Sequence, residues 1–432
     1  MNPLVDLSVE ARLAVAGGEH PQATGKLGAL ITREIVLRSL RGAAAWLEAS
    51  VDSAAGKGVG HRMAVYSTTG AVKWMYPHGN TGEAITCWLD LATLLDRPDY
   101  TERAKVYGYA LVDDPQTGIY RGEFEPAHGL MWYWTDIGSY NSLYAMRTVL
   151  PLLRLNRLTG DGRFREIVLM MGRMFLRRQT ACGLIDASWS PKRGWEEGGT
   201  RVGSRFVYGM TIFAALFQET GGSEYRDAYE KAVGALQKMQ QADGSFFQNY
   251  EVATAERSPS DSSTKFLFFS YILNAIEETY EIVRDERLLD AAKRLGDYLV
   301  RVHYYRAALP YCVGTHLLPA DQPEADTGIY DCANGLLWLH GVTGELRYLD
   351  VATKLWLAAW SNQPEGTGIA GLDGAIISGS TPFLSATVEG VTADRAHLLY
   401  DPSRAGKCSL WGMVNHVFAC RRLLGMIEGK SE

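Results

Sequence analysis

The 432-residue sequence lacks the features that define several protein classes. Its six cysteines form no C-x-x-C pair, so it predicts neither a zinc ribbon nor a redox-active dithiol. No run approaches the roughly 20 apolar residues of a membrane-spanning helix, and residues 1–18 lack the basic and apolar regions of a signal peptide. Lys and Arg total 43 against 49 Asp and Glu, which argues against a general nucleic-acid binder.

These absences predict a protein without nucleic-acid or membrane partners. We expect the chain as given to be cytoplasmic, and secreted or periplasmic if a signal has been removed; the oligomeric state stays open. Neither G-x-x-x-x-G-K-[ST] nor H-E-x-x-H is present, so no cofactor and no metal are expected. With 47% hydrophobic residues and no linker rich in Pro, Gly and Ser, residues 1–432 are predicted to form a single domain.

A short glycine motif recurs along the chain after predicted helices. Its members are Thr117-Gly118-Ile119-Tyr120, Cys182-Gly183-Leu184-Ile185, Asp243-Gly244-Ser245-Phe246 and Thr367-Gly368-Ile369-Ala370. The glycines are 65, 61 and 124 residues apart, and 124 is two units of 62, so a missing member would fall near Cys312-Val313-Gly314. This regular spacing indicates one supersecondary unit that is repeated.

Each unit contains two helices of different character. Residues 206–217 are apolar almost all round, which is typical of a helix buried on both sides. Residues 225–239 carry an apolar stripe that includes Tyr225, Leu236 and Met239, with charged residues on the other face, as expected for an outer helix.

The alternation of buried and water-facing helices continues through the chain. Apolar segments begin near Gly82, Ile137, Ser204, Thr264, Ile329 and Cys408. Charged amphipathic segments begin near Tyr100, Gly162, Glu224, Glu286 and Glu345. Residues 26–49 are a candidate for a further helix of the series. We therefore predict an all-α fold, an (α/α)6 or (α/α)7 toroid or barrel of helical hairpins, with short β-hairpin loops at its mouth.

In such a toroid, the N-termini of all inner helices face one mouth, and polar and aromatic residues are concentrated just before those helices. Aromatic rings stack on sugar faces, while amide and guanidinium groups bind hydroxyls and carboxylates. The mouth is therefore predicted to bind an acidic oligo- or polysaccharide. The candidate substrate-binding residues are Trp74, Tyr76, His78, Asn80, Glu83, Trp132, Trp134, Tyr140, Arg205, Tyr330 and Trp411.

Some of these residues also have a purely structural interpretation. Asn80 fits the N-cap of a helix, with Glu83 in its first turn. Trp132 and Trp134 fit a strand whose alternate rings pack inward. His340 and His416 lie in apolar helical segments and are expected to be hydrogen-bonded core groups.

The stretch from Tyr76 to Ile85, YPHGNTGEAI, resembles segments of uronate-acting enzymes with α/α barrels, including glucuronyl C5-epimerases. The repeat layout of nearly the whole chain is similar to that of toroidal polysaccharide lyases of the glucuronan and alginate type. This resemblance implies cleavage of a uronic-acid polysaccharide by β-elimination.

β-Elimination needs a group that neutralises the uronate carboxylate, a base for the C5 proton and an acid for the departing oxygen. Tyr and His suit the proton transfers, while Arg and Asn suit the carboxylate. On this resemblance the candidate catalytic residues are Tyr305, Tyr304, His303, His128, Asn141 and Arg306.

Three alternatives stay open at this point. A glycoside hydrolase on the same toroid would use paired carboxylates such as Asp136 and Asp331. A uronate epimerase would need similar carboxylate and proton chemistry. A toroid that binds a glycan or a protein without catalysis would show the same helical pattern.

Overall fold

The computed structural model describes the helical framework and several short strands. The described residues are 31–53, 61–66, 71–77, 81–113, 131–134, 139–185, 188–190, 194–196, 201–258, 263–306, 312–314, 330–361, 363, 365, 373–376, 407–408 and 410–429.

Helices dominate these residues. They are α1 (Arg33–Ser53), α2 (Thr81–Leu94), α3 (Asp99–Asp113), α4 (Ser142–Thr159), α5 (Gly162–Arg178), α6 (Gly209–Thr220), α7 (Ser223–Met239), α8 (Phe266–Val283), α9 (Glu286–Arg306), α10 (Ala333–Thr343), α11 (Leu346–Ser361) and α12 (Leu410–Ile427). A 3₁₀ helix, Ser204–Tyr208, leads into α6. The strands are β1 (His61–Tyr66), β2 (Ala71–Pro77), β3 (Met131–Trp134), β4 (Ser139–Asn141), β5 (Ser188–Ser190), β6 (Gly194–Glu196), β7 (Arg201–Gly203), β8 (Asn249–Glu251), β9 (Ser263–Lys265), β10 (Cys312–Gly314) and β11 (Lys407–Cys408).

The helices form two concentric rings, which confirms the predicted toroid. The even-numbered helices α2, α4, α6, α8, α10 and α12 contact one another in that order, and α12 contacts α2 to close the inner ring. The odd-numbered helices pack outside them. The described helices thus form six hairpins, the sixth of which pairs α12 with α1.

The two rings follow directly from the sequence pattern. In α6, every residue from Gly209 to Leu216 is buried, because the helix packs against neighbours on both sides. In α7, Tyr225, Leu236 and Met239 face the inner ring and are buried, while the charged residues of the opposite face are exposed. Both predictions for these helices are confirmed.

The two ends of the toroid differ. The described strands all lie in connections that lead from an outer helix to the next inner helix. They form antiparallel sheets with the strand orders β11-β1-β2, β3-β4-β5-β6, β7-β8 and β9-β10. The N-termini of the inner helices lie at this end, which we call the sheet end. At the opposite turn end, short turns such as 160–161 and 284–285 connect inner to outer helices.

The recurring glycine ties each outer helix to the next. Gly183 and Gly244 have φ values of +99° and +91°, and a Cβ on either would lie within 2.3 Å of a backbone oxygen of the next outer helix. Next to them, Gln179 donates to the carbonyls of Gly183 and Ala228 at 2.9 and 2.7 Å. The glutamine and the glycine together therefore link α5 to α7.

The last unit has the same arrangement at Gln363 and Gly374. Gln363 donates to the carbonyls of Ser39 and Gly374 at 3.1 and 2.9 Å, and Gly374 has a φ of +80°. Gly374 thus has the position in the last unit that Gly183 and Gly244 have in theirs, whereas Gly118 and Gly368 lie outside the described residues. The proposed extra member at Gly314 is instead part of strand β10.

Replacing Gly244 by Ala is expected to lower the free energy of unfolding by about 2 kcal/mol, because the new Cβ would meet the Arg294 carbonyl oxygen at 2.1 Å in a left-handed conformation. Urea denaturation followed by circular dichroism measures the change. Gly234→Ala is the matched control: Gly234 lies in α7 with nothing within 4 Å of its Cβ position, so Ala should stabilise by up to about 1 kcal/mol. Equal effects at the two sites would contradict the assigned role of Gly244.

Buried polar groups hold the sixth hairpin together. The Ser39 hydroxyl on α1 lies 2.7 Å from Nε2 of His416 on α12 and donates to Gln363 at 2.6 Å. Trp356 of α11 donates to Cys420 Sγ at 3.2 Å and stacks on the His416 ring. His416 is thus the hydrogen-bonded core group that the sequence predicts.

None of the described helices is long and apolar enough to cross a membrane.

Candidate functional site

Side chains from every inner helix, or from the residues just before it, meet near the sheet end. We call this set the axial cluster. It consists of Glu83 on α2, Arg147 on α4, Tyr208 before α6, Tyr271 on α8, Asp331 before α10 and Trp411 on α12. All six are buried. The repeat places them there because each lies within the first turns of its inner helix or next to them.

Arg147 is the centre of the axial cluster. Its guanidinium carbon lies 3.8 Å from the ring centroid of Trp411, 4.6 Å from that of Tyr271 and 5.8 Å from that of Tyr208. These distances fall within the range of cation–π contacts. The Tyr271 and Trp411 rings stack on each other at 4.0 Å, and Trp411 Nε1 donates to the Ser270 hydroxyl at 3.0 Å.

Glu83 forms a buried ion pair with Arg147, in which two guanidinium nitrogens contact the two carboxylate oxygens. Burial raises the pKa of the Glu83 carboxyl, and the charge of Arg147 opposes that rise. Burying such a charge lowers the stability of the fold strongly unless its partner of opposite charge is also present. Glu83, predicted to bind substrate, is therefore largely engaged by Arg147.

Asp331 is the second carboxyl group of the axial cluster, and no ion pair engages it among the described residues. It is 4% exposed and has no hydrogen-bond partner among the described residues. Burial raises the pKa of Asp331 to about 7, and the nearby Arg147 guanidinium lowers it in part. A carboxylic acid with a pKa near neutrality can donate a proton at physiological pH. The sequence singled out Asp331 only for the hydrolase alternative.

Tyr208 adds a second unsatisfied polar group. Its hydroxyl is buried and accepts or donates no hydrogen bond among the described residues. Burial raises the pKa of this hydroxyl, so it stays protonated at neutral pH and can act as a donor. Buried polar groups without partners are uncommon in proteins and often mark places where a ligand or water completes the hydrogen bonding.

Amide side chains form a floor beneath the axial cluster. Asn274 on α8 donates to Asn415 Oδ1 on α12 at 2.8 Å, and Asn334 on α10 donates to Glu277 at 3.0 Å. Arg422 donates to Asn334 Oδ1 at 3.1 Å and also pairs with Glu277. This network fixes three inner helices relative to one another and so fixes the first turns that carry the cluster.

The strands around the sheet end carry aromatic residues in register. Trp132 pairs with Tyr140, Tyr140 with Trp189, and Trp189 with Trp195, so the backbone places these four residues in one row across the β3-β4-β5-β6 sheet. Trp134 lies on β3 beside them. The predicted substrate-binding residues Trp132, Trp134 and Tyr140 thus share one sheet next to the mouth.

Basic residues occupy strand positions at the same end. Lys73 and Lys407 both pair with Ala64, on opposite sides of β1. Arg201 and Lys265 lie on β7 and β9, and Arg205 lies in the 3₁₀ helix before α6. Several basic residues are therefore placed around the mouth by the backbone.

The predicted acid–base residues His303 and Tyr304 lie on outer helix α9. The Tyr304 hydroxyl donates to Asp350 of outer helix α11, and Lys354 of the same helix lies over the Tyr304 ring. Burial lowers the pKa of His303 to about 4, so its ring is neutral at physiological pH. The structure thus places this pair in a contact between two outer helices, while the axial cluster belongs to the inner ring.

For several other predicted site residues, the structure gives the helix or strand on which they lie. Tyr305 and Arg306 are the last two residues of α9, Asn141 ends β4, and Trp74 and Tyr76 lie on β2. Tyr330 is half-buried next to Asp331. Trp411 is only 2% exposed, which leaves little of its ring for a sugar. His78, Asn80, His128 and Asp136 lie outside the described residues, and their roles stay predictions.

Sequence reasoning missed Arg147, Tyr208 and Tyr271. Arg147 is the first of three arginines on α4 and the one nearest its N-terminus, and a charge in the first turns of a predicted inner helix was a usable signal. Tyr208 and Tyr271 lie within apolar segments and look like ordinary core residues. Among the described residues, no three His, Cys, Asp or Glu side chains are grouped so that they could hold a metal ion.

Comparison with solved structures shows the same fold. An unsaturated glucuronyl hydrolase specific for heparin matches with a TM-score of 0.65 at 14% identity, over 93% of this chain and 99% of that one. An unsaturated glucuronyl hydrolase from Bacillus sp. GL1 matches with a TM-score of 0.63 at 15% identity, over 93% and 98%. A family 105 glycoside hydrolase from C. acetobutylicum gives 0.58 at 10%, over 88% and 98%. At these identities the likeness establishes the fold.

A search of curated protein sequences found no match. A family model described as "Beta-L-arabinofuranosidase, GH127 catalytic domain" matches residues 148–371, which is more than half of the chain. The comparisons therefore support the glycoside-hydrolase alternative better than the lyase prediction. The chain belongs to the GH127 β-L-arabinofuranosidase catalytic-domain family, on an α/α toroid.

Proposed function

We propose that the protein is a glycoside hydrolase in which Asp331 is the proton donor. The observation that carries this proposal is the Asp331 carboxyl itself: it is buried, lacks a hydrogen-bond partner among the described residues, and has a pKa of about 7 at the sheet end. Family membership supports hydrolysis as the reaction class.

The reaction divides into bond cleavage and addition of water. Asp331 gives its proton to the glycosidic oxygen as the bond from that oxygen to the anomeric carbon breaks, and the leaving sugar departs as an alcohol. Water adds its oxygen to the anomeric carbon and loses a proton to a second carboxylate. Asp136 is our proposed second carboxylate, because Glu83 is held by Arg147.

We further propose that the substrate is a uronic-acid-containing glycan. Lys73, Arg201, Lys265 and Lys407 lie on strands around the sheet end, where they can attract a sugar carboxylate. The aromatic row on the β3-β4-β5-β6 sheet offers stacking surfaces for sugar rings. Solved relatives of this fold are named as unsaturated glucuronyl hydrolases, which is consistent with this substrate class.

A second candidate substrate is a β-L-arabinofuranoside, which the family match over residues 148–371 favours. Both substrates need the same proton donor. They differ in whether the strand lysines and arginines at the sheet end contribute to binding.

One substrate panel tests the reaction and the substrate together. The panel contains glucuronan, alginate, oligosaccharides that end in an unsaturated uronate, and a β-L-arabinofuranoside. Loss of the unsaturated-uronate absorbance, with release of a reducing sugar, supports a uronate hydrolase. Release of arabinose alone supports the second candidate. A gain of that absorbance on glucuronan or alginate would overturn the hydrolase proposal in favour of a lyase.

The proposed role of Asp331 fixes the direction of the pH dependence. A proton donor acts in its protonated form, so kcat/KM should be highest below pH 7 and fall tenfold per pH unit well above it. Initial rates over a range of substrate concentrations, taken between pH 5 and pH 9 in overlapping buffers at constant ionic strength, measure the pH dependence of kcat/KM. An activity that instead rises with pH through this range would indicate a base-initiated reaction.

A further inference from the structure

The proposed proton donor, Asp331, depends for its position on the helix that follows it. Its side chain is 4% exposed and has no hydrogen bond or ion pair among the described residues. Asp331 precedes α10 by two residues, so the backbone of the first turn of that helix places the carboxyl group. Whatever holds this turn against its neighbours therefore also holds the proposed donor.

Asn334, in the first turn of α10, is bonded to both neighbouring inner helices and is 1% exposed. Its Nδ2 donates to Glu277 Oε2 on α8 at 3.0 Å and to Asn274 Oδ1 on the same helix at 3.3 Å. Its Oδ1 accepts a hydrogen bond from Arg422 Nε on α12 at 3.1 Å. A guanidinium group can only donate, so a single orientation of the Asn334 amide satisfies both of its ends. These bonds resist sliding and rotation of α10.

Gly335, the next residue, brings α10 to close range of α8. A Cβ on Gly335 would lie 2.7 Å from Leu273 Cβ, a separation that real Cβ atoms essentially never show. The short side chain of Asn334 can reach acceptors on α8 because the two backbones are this close. Any larger residue at Gly335 must therefore move α10 away from α8.

The contact between inner helices α2 and α4 has the same construction. A Cβ on Gly82 would lie 2.8 Å from Thr148 Cβ. Gly82 precedes Glu83, and Thr148 follows Arg147, so this close approach stands beside the buried ion pair of the axial cluster. In both places a glycine lies next to the polar side chain that crosses to the neighbouring inner helix. The repetition indicates that individual residues specify the spacing of inner helices near the axial cluster.

The amide network also reaches the part of the axial cluster around Arg147. Asn274 Nδ2 donates to Asn415 Oδ1 at 2.8 Å, and Asn415 Nδ2 donates to the Trp411 carbonyl oxygen at 2.8 Å. The Trp411 ring lies against the guanidinium of Arg147, the cation that partly lowers the pKa of Asp331. One network thus holds the helix of the proposed donor and the surroundings of the nearby cation.

We propose that Asn334 and Gly335 are positioning residues for the hydrolytic reaction. They hold the first turn of α10 against α8, and so hold the Asp331 carboxyl where it can transfer its proton to the glycosidic oxygen. This inference rests on the proposed function of Asp331. Neither residue acts on the substrate directly. A misplacement of about 1 Å can lower a rate by roughly 100-fold, so a shift of a few tenths of an ångström should cost about tenfold.

Two glycosides of the same sugar separate positioning of the donor from a general structural role. One is the natural glycoside, and the other is its 2,4-dinitrophenyl analogue, whose leaving group needs no proton. Gly335→Ala pushes α10 from α8, while Asn334→Ala removes the amide and leaves the Arg422–Glu277 pair in place. Each variant should lower kcat on the natural glycoside by about tenfold with little change in KM, and should stay within about threefold of wild type on the analogue.

Two control variants match these changes without moving α10. Gly341→Ala makes the same substitution on the same helix, where nothing lies within 4 Å of the Cβ position. Thr211→Val removes a buried hydrogen bond between α6 and α8, in which the Thr211 hydroxyl donates to the Ala275 carbonyl at 3.1 Å. Both controls should keep the wild-type ratio of kcat on the two glycosides. Circular dichroism verifies that every variant is folded under the assay conditions.

The outcomes distinguish the positioning role from the role of Asp331 itself. If Asp331→Asn shows the leaving-group effect but the two α10 variants slow both glycosides equally, or slow neither, the proton donor stands and the positioning role is overturned. If Asp331→Asn shows no leaving-group effect, the proposed function fails and the positioning role fails with it. The two variants displace α10 by different means, so Gly335→Ala alone decides the matter should Asn334→Ala not fold.

Discussion

Replacing Asp331 by Asn is expected to lower kcat for glycoside hydrolysis by about 10³-fold, because the amide cannot protonate the departing oxygen. The change keeps the size of the side chain and leaves the Glu83–Arg147 pair intact. Steady-state rates on the substrate identified by the panel measure the effect. KM should change much less than kcat, since the lost interaction acts in bond cleavage.

The leaving group separates a proton donor from a merely structural residue. A 2,4-dinitrophenyl glycoside releases an anion that needs no proton, so Asp331→Asn should slow its cleavage far less than that of a natural glycoside. Asp297→Asn is the control, since Asp297 lies on outer helix α9 and accepts from Tyr348 at 2.7 Å. An Asp331→Asn enzyme within threefold of wild type on the natural glycoside, or one equally impaired on both substrates, would refute the assigned role.

Removing Arg147 should have the largest effect on stability. Arg147→Met is expected to lower the free energy of unfolding by about 3–5 kcal/mol, because it leaves the Glu83 carboxylate buried without its cation. Urea denaturation at pH 8, where an unpaired carboxyl gains least from protonation, measures the loss. Three aromatic rings also lose their cation–π contact with the guanidinium.

A double-mutant cycle isolates the pair from the other contacts of Arg147. Glu83→Gln in the Arg147→Met background should recover part of the lost stability, because no buried charge is then left alone. Arg38→Met is the control, since the Arg38–Glu365 pair is exposed to solvent, where an ion pair contributes little to stability. A loss at Arg147 no larger than at Arg38, or strict additivity of the two changes, would show that the buried pair does not stabilise the cluster.

The ring architecture could be predicted from the sequence because its signals are local. Whether a helix is apolar all round, as at residues 209–216, or only along a stripe, as at Tyr225 and Met239, depends on residues a few positions apart. The turn glycines at Gly183 and Gly244 were recognisable for the same reason. Gly374 was not recognised from the sequence, because the interval between Gln363 and Gly374 is longer than the corresponding intervals in the earlier units.

The candidate site was predictable only in part. The sequence placed the site at the N-termini of the inner helices, and Glu83 and Trp411 do belong to the axial cluster. It could not show that Arg147 meets Trp411, because that contact crosses the ring between α4 and α12. Tyr304 was predicted to lie at the mouth because it stands near the end of a helix. However, α9 is an outer helix, and the sequence pattern does not show on which side of that helix the Tyr304 side chain lies.

The pairing of α12 with α1 has a consequence for biosynthesis. While the polypeptide emerges from the ribosome, five hairpins can assemble in order, but they form an open arc whose two apolar flanks, on α2 and α10, are uncovered. Only α12, translated last among these helices, covers both flanks at once. An incomplete nascent chain therefore exposes aggregation-prone apolar surface at two places. We expect it to depend on chaperones until translation has passed Ile427.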